Sequence, residues 1–361
     1  MPVDVHTLRA QFPVLEHTAY LNAGTDGPLP AAAARAGGQE LLGEAERGRA
    51  RTHFERRTEL GAALRGCYAL ALACDPREVA LTTCTTEGLS IVIDGLDLRP
   101  GDEILTSDEE HPGLLGVLAA ARDANGAVVR MAPFEQIAEQ VSPTTRLVAC
   151  SHVSWMTGRL APAALADLDI PVVLDGAQGV GAVHTDVRTL GCDAYAGAGQ
   201  KWLCGPDGTG MLYVTSELRE RVRSKRRGYG NLLDPEAGID ARLHEDARRF
   251  DTLALSAEAL ATALAAIEIM KSAGWADVHE RSLALTASLV EGLGAIGREV
   301  TPRGPTTLVS FSSPDPEAER GALAERGVVL RDIPGRPWLR ASVGAWNDER
   351  DLDRLLETLS R

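Results

Sequence analysis

The sequence is short of three things that would each point elsewhere. No apolar run reaches the ~18 residues that a membrane span needs, and no basic, apolar, small-residue leader opens the chain. The expectation is a cytoplasmic protein with no membrane partner. Clustered positive charge is also scarce. The formal net charge is −14, and the one basic run, Arg221 to Arg227, reads as a solvated helix end or a phosphate or partner contact. Nucleic acid is therefore not an expected partner. The six cysteines (Cys67, Cys74, Cys84, Cys150, Cys192 and Cys204) form no CxxC pair and sit mostly in apolar segments. They read as reduced, buried thiols, which leaves neither a disulfide framework nor a metal site.

What is present is a long chain of ordinary globular makeup, 361 residues with 44% hydrophobic and 24% charged. That is enough for a large core and two lobes. Short apolar runs near Val79 to Thr82, Asp102 to Ser107, Leu147 to Cys150 and Pro171 to Leu174 alternate with helical stretches. The alternation predicts an α/β fold with a mostly parallel sheet flanked by helices. The expected organisation is an N-terminal arm over 1–20, a large domain over 21–245 and a smaller α/β C-terminal domain over 246–361. Apolar residues at helical spacing from Ala257 to Met270 start the connection to the smaller lobe.

One stretch organises the rest, PVVLDGAQGVGAVHTDVRTLGCDAYAGAGQKWLCGPDGTGMLYV from Pro171 to Val214. Its first apolar run is a buried strand ending at Asp175, and ligands of open parallel sheets bind just beyond such strand ends. Lys201 follows among Gly197, Gly199, Gly205, Gly208 and Gly210. Small residues let backbone approach a ligand, and a partly desolvated lysine with a lowered pKa is an amine that condenses with carbonyls. Singly, the lysine could be a solvated turn residue and the aspartate a cap. Together they suit pyridoxal 5'-phosphate (PLP), whose aldehyde a lysine holds as an imine and whose ring nitrogen an aspartate keeps protonated.

The strings DGAQ, GCDAY and QKWLCGPDGTGMLYV resemble the lysine region of the class V aminotransferase family, which includes cysteine desulfurases, carbon-sulfur lyases and isopenicillin N epimerase-like enzymes. The resemblance implies the PLP-dependent transferase fold type I, a homodimer and a small amino-acid substrate. It also implies roles for individual residues. Thr85 and Thr86 lie where a strand near Thr82 gives way to a helix expected after Thr86, a junction that can hold a phosphate or be a plain hydroxyl cap. His111 is the implied ring cover, Gln178 the partner of the ring oxygen, and Gln200 the neutral donor where the family has histidine. Arg340 is the implied grip on the substrate carboxylate through a two-point contact. Arg331 could meet a second acidic group, Trp155 wall one side of the pocket and Asn22 line it. Thr252 follows Arg249-Phe250-Asp251, but the Gly-Thr of the family is missing there, which puts in doubt a contact with the phosphate of a neighbouring subunit.

Lys201, Asp175 and His111 are thus the expected catalytic residues. No cysteine follows Cys204, so the nucleophilic cysteine of a desulfurase has no counterpart. The expectation is a PLP lyase that eliminates sulfur from a cysteine- or cystine-type substrate and forms no persulfide, with aminotransferase or epimerase as alternatives.

Overall fold

The computed structural model describes residues 4–360. Its helices are Val5–Arg9 (α1), Ala31–Arg47 (α2), Arg51–Ala71 (α3), Thr85–Gly95 (α4), Pro112–Asn125 (α5), Ser216–Arg221 (α6), Ala257–Ala273 (α7), Trp275–Ala295 (α8), Pro316–Glu325 (α9) and Glu349–Leu359 (α10). The strands are Ala19–Tyr20 (β1), Val79–Thr82 (β2), Glu103–Ser107 (β3), Val128–Ala132 (β4), Thr145–Ser151 (β5), Val172–Asp175 (β6), Ala194–Ala198 (β7), Gly210–Val214 (β8), Leu308–Ser312 (β9), Val328–Val329 (β10), Arg331–Asp332 (β11) and Trp338–Ser342 (β12).

Seven strands form the central sheet in the order β2-β8-β7-β6-β5-β3-β4. The pairs from β4 to β7 are parallel, while β7–β8 and β8–β2 are antiparallel. This is the mostly parallel α/β architecture the alternation predicts. Short continuous apolar runs suit it because helices bury both faces of such a sheet. One face packs Leu64 and Tyr68 of α3 and Ile267 of α7 on Leu174 and Tyr195. The other packs Leu89, Val92 and Ile93 of α4 and Leu118 of α5 on Ile104, Val173 and Leu212. Each such Leu or Ile contributes roughly 1.5–3 kcal/mol by leaving water.

Three features go beyond the sequence expectations. The helix expected after Thr86 begins at Thr85, with Cys84 as its cap. Glu87 closes that turn by accepting from the amide and hydroxyl of Thr83, at 2.6 and 2.8 Å. Helix α7, beyond the expected boundary at residue 245, shares its core with α3 and the large sheet. The N-terminal segment leans on the C-terminal part of the chain instead of standing apart. There β1 pairs in parallel with β10, the Ser342 amide donates to Leu21 O at 2.8 Å, and Arg9 makes a two-point contact with Asp351 at 2.7 and 3.0 Å. That docking carries Asn22 to Gly27 to the mouth of the sheet. There Gly24 lies against Arg340 of the antiparallel sheet β11-β12-β9.

Candidate active site

Lys201 sits in the turn between β7 and β8, just past the end of β7. Backbone bonds fold the turn tightly, from Gly205 N to Gly199 O at 2.8 Å and from Cys204 N to Lys201 O at 3.1 Å. The loop from the N-terminal segment locks onto it through Gly27 N and Gln200 O, 2.7 Å. A Cβ at position 27 would collide with the Lys201 carbonyl oxygen, so only glycine fits there. Burial lowers the Lys201 amine to about 8, with Asp175 pulling it back up and Arg340 and Arg331 adding to the depression.

Asp175 ends β6, its Oδ1 accepting from Ala177 N at 2.9 Å. Burial raises its proton affinity, and Lys201 and that amide oppose the rise. Gln178, expected at the ring oxygen, also has partners inside the protein. Its Nε2 donates to Gly24 O at 2.7 Å and its Oε1 accepts from Trp202 Nε1 at 3.0 Å, leaving one amide proton. The glutamine therefore ties the N-terminal loop to the lysine turn. Gly24 is fixed at that junction, since a Cβ there would lie 2.8 Å from Arg340 Nη2 and from Ser342 Oγ. Asn22, half-buried beside it, accepts from Thr25 Oγ1.

His111 caps α5, its Nδ1 accepting from Gly113 N at 3.0 Å. Burial first, then Lys201, Arg331 and Arg340, lowers its pKa to about 4, so the ring is neutral. The start of α5 adjoins the start of α4, because a Cβ on Gly113 would reach Thr86 Oγ1 at 2.8 Å. Two helix N-termini thus converge beside Thr85, Thr86 and His111, but α5 has no N–H to spare there, since Pro112 lacks one and Gly113, Leu114 and Leu115 donate to His111, so it is the start of α4 that favours an anion.

On the substrate side, Arg331 and Arg340 are direct cross-strand partners in β11 and β12. Arg340 is fully buried. Its Nη1 donates to Trp155 O at 2.7 Å, while Nε and Nη2 find no acceptor among the described residues. Burial, then the like charge of Arg331, pushes Arg340 down to about 9. Arg331 lies over the Trp155 ring at 5.4 Å, and the same ring meets His111 edge-on at 5.1 Å. The fold therefore brings Lys201, Asp175, His111, Trp155, Arg331 and Arg340 into one cleft, with Thr85 and Thr86 at the adjoining helix ends. Thr252 lies away from it in a separate groove with Phe54, Tyr229 and Leu253.

Buried polar atoms without a protein partner mark where a bound group fits. In this cleft they include Thr85 Oγ1, Gln200 Oε1, Trp155 Nε1, Ser342 Oγ and the two Arg340 nitrogens, among others elsewhere in the chain. A phosphate at the helix ends, an aldehyde at Lys201, a ring nitrogen at Asp175 and a carboxylate at Arg340 suit this set, although Gln200 Oε1, as an acceptor, would have to turn its amide to serve a phosphate. Sequence reasoning missed Glu109 and Glu110, both buried. Glu109 accepts from Ser154 Oγ, from Thr157 Oγ1 at 2.6 Å and from Arg159 Nη1 at 3.2 Å, and so fixes the loop that carries Trp155. Two carboxylates directly before His111 at a strand end were the available signal.

Fold and cleft together define a PLP-dependent enzyme. The aminotransferase class-V family model matches residues 32–355, and the chain belongs to that family. It is 30% identical to a probable cysteine desulfurase of Pseudomonas aeruginosa over 98% of this chain and 97% of that protein. It is also 30% identical to the isopenicillin N epimerase of Amycolatopsis lactamdurans, over 80% and 81% of the two chains. Among solved structures, the complex between the cystine C-S lyase C-DES and its reaction product cysteine persulfide superposes with a TM-score of 0.91 at 30% identity, covering 97% of this chain and 99% of that one.

These findings correct the expected reaction. The lyase reading excluded persulfide formation because no cysteine follows Cys204, and the desulfurase relative together with the persulfide-bound neighbour overturns that exclusion. The error was chemical. It required the persulfide to form on a cysteine of the chain, whereas the neighbour's persulfide is carried by free cysteine. The elimination reading, which rested on Trp155, the short Arg331-to-Arg340 loop and the missing nucleophile, does not stand in its persulfide-free form.

Proposed function

We propose that this protein is a persulfide-forming PLP enzyme of the cysteine desulfurase kind, mobilising the sulfur of a cysteine-type amino acid. The observation that carries the reading is the buried guanidinium of Arg340, with two nitrogens that have no acceptor among the described residues, in the same cleft as the Lys201 amine, in a chain similar to cysteine desulfurases. Bound PLP supplies an electron-accepting ring that stabilises negative charge at the substrate α-carbon. Arg340 orients the substrate by its carboxylate. Lys201, near a pKa of about 8, exists in both protonation states around neutral pH and can take and return the α-proton. Asp175 would keep a proton at the ring nitrogen of bound PLP, and neutral His111 would lie over the ring. Trp155 excludes water from the far wall.

The sulfur acceptor in this reading is a thiol from outside the chain. Four of the six cysteines are buried, and Cys74 and Cys84 are half-buried. None lies between Arg331 and Arg340. Cys204, though close to Lys201 in sequence, belongs to an apolar cluster with Phe12 and Trp346, and burial pushes its thiol up. Cysteine plus an external thiol gives alanine plus that thiol's persulfide. The C–S bond breaks, an S–S bond forms, and hydrogen replaces sulfur on the β-carbon, so no outside oxidant or reductant is needed. Alanine release from cysteine should increase with added small thiol, which should carry the persulfide, and Cys84→Ser and Cys204→Ser should retain the activity. Persulfide found on a chain cysteine would remove the external acceptor, and absence of alanine would remove the function itself.

Arg331 is the candidate contact for a second carboxylate on the substrate. Arg331→Ala should raise KM for a substrate with a far carboxylate by about tenfold more than for cysteine, the size of one lost charge-assisted bond at a half-buried site. Equal losses for both would reduce Arg331 to a support for Trp155. A homodimer belongs to the same reading, with the groove beside Thr252 as the face against a second copy. Phe54, Tyr229 and Leu253 are exposed there, at 51%, 74% and 42%. Light scattering on an eluting peak should give twice the 38.3 kDa chain mass; the mass of one chain would contradict it.

A further inference from the structure

Glu110 is a buried carboxyl, 5% exposed, hung between the tips of two central strands. From β3, Ser107 Oγ donates to its Oε1. From β5, Ser151 N donates to Oε1 at 3.1 Å and Ser151 Oγ to Oε2 at 2.6 Å. Ser107 Oγ is itself the acceptor for Glu109 N at 3.2 Å, which commits its proton to Glu110. All three donors thus serve an anion, yet no Lys, Arg or His forms an ion pair with Glu110 among the described residues. Ser151 is the register partner of Asp175 on β6, so a second carboxyl lies one strand away from the residue that faces the ring nitrogen.

We infer that Glu110 is a positioning residue that sets the charge behind Asp175, reinforcing the proton on the cofactor's ring nitrogen when ionised and releasing it when neutral. The inference rests on PLP lying between Lys201 and Asp175. The ionisable groups that act on Glu110 or feel it are Asp175 on β6 and the Cys150 thiol on β5, with Glu109 and His111 beside it in sequence and Lys201 beyond Asp175. Burial pushes Glu110 up to about 7 against the pull of its three donors, and Asp175 adds to the rise. The balance lies within the working pH range of a cellular enzyme. A charge in so dry a place is felt by its neighbours far more than one in water.

The test is a spectrophotometric pH titration of the PLP-loaded protein, following the visible band of the cofactor held on Lys201. The wild type should show a component near pH 7. Glu110→Gln should lose that component and move the remaining midpoint down by about one pH unit, the order expected when one nearby buried anion is removed. Ser151→Ala keeps the charge but removes a donor to the anion, so its component should move to higher pH. Superimposable titrations of Glu110→Gln and wild type would overturn the inference. If Glu110→Gln fails to fold, Ser151→Ala decides, and an unmoved component in that variant overturns it equally. A wild-type protein with no visible band would instead refute the cofactor assignment on which the inference rests.

Discussion

Arg340→Met is expected to weaken the substrate's hold by a factor of a hundred or more in KM and to make the cofactor-free protein more stable at pH 7. Both effects come from one fact. The guanidinium is fully buried and bonded to a single carbonyl, the oxygen of Trp155, with two nitrogens unpartnered. An arginine does not give up its proton in a protein, so the depression of its pKa to about 9 by burial is a cost borne by the fold at every pH below that. That cost is on the order of several kcal/mol. A methionine of similar length removes it and leaves an apolar contact. The substrate carboxylate then loses a desolvated two-point partner, typically about 2–5 kcal/mol. A higher Tm with a raised KM is the predicted pair. A lower Tm would mean that Arg340 is structurally satisfied and is not held for the substrate.

Lys201→Ala is expected to lower turnover by at least about 10⁴-fold, because one side chain is asked to anchor the cofactor and to move the α-proton. Binding of PLP should weaken less than turnover. Asp175, His111 and the converging starts of α4 and α5 remain in place, and none of their contacts runs through the Lys201 amine. Borohydride should then fail to fix the cofactor to the chain. Equilibrium dialysis of PLP beside single-turnover kinetics separates the two losses. Complete loss of PLP binding would show that the phosphate end holds little of it.

Much of this cleft was legible because its chemistry is local. Asp175 ends an apolar run, Lys201 stands among glycines, and His111 follows a strand; each signal spans only a few residues. The central sheet was legible for the same reason, since runs buried on both faces must be continuously apolar. What escaped was set by distant segments. Nothing in Asn22 to Gly27 says that β1 pairs with β10, yet that pairing decides that Gly24 touches Arg340 and that Gln178 spends its amide on Gly24 and Trp202. The cross-strand meeting of Arg331 with Arg340 needs the register of β11 on β12. Glu110 needs three strand tips at once. The reaction escaped for another reason. A missing cysteine limits where sulfur can go on this chain, and it does not limit where sulfur can go in solution.

The most direct test of the central claim is mass spectrometry of alkylated products after the PLP-loaded protein has met cysteine and a small thiol. A thiol persulfide and alanine should form in equal amounts, both missing with Lys201→Ala. Conversion of the cofactor to its amine form, reversed only by a keto acid and without any persulfide, would contradict it and make the protein an aminotransferase.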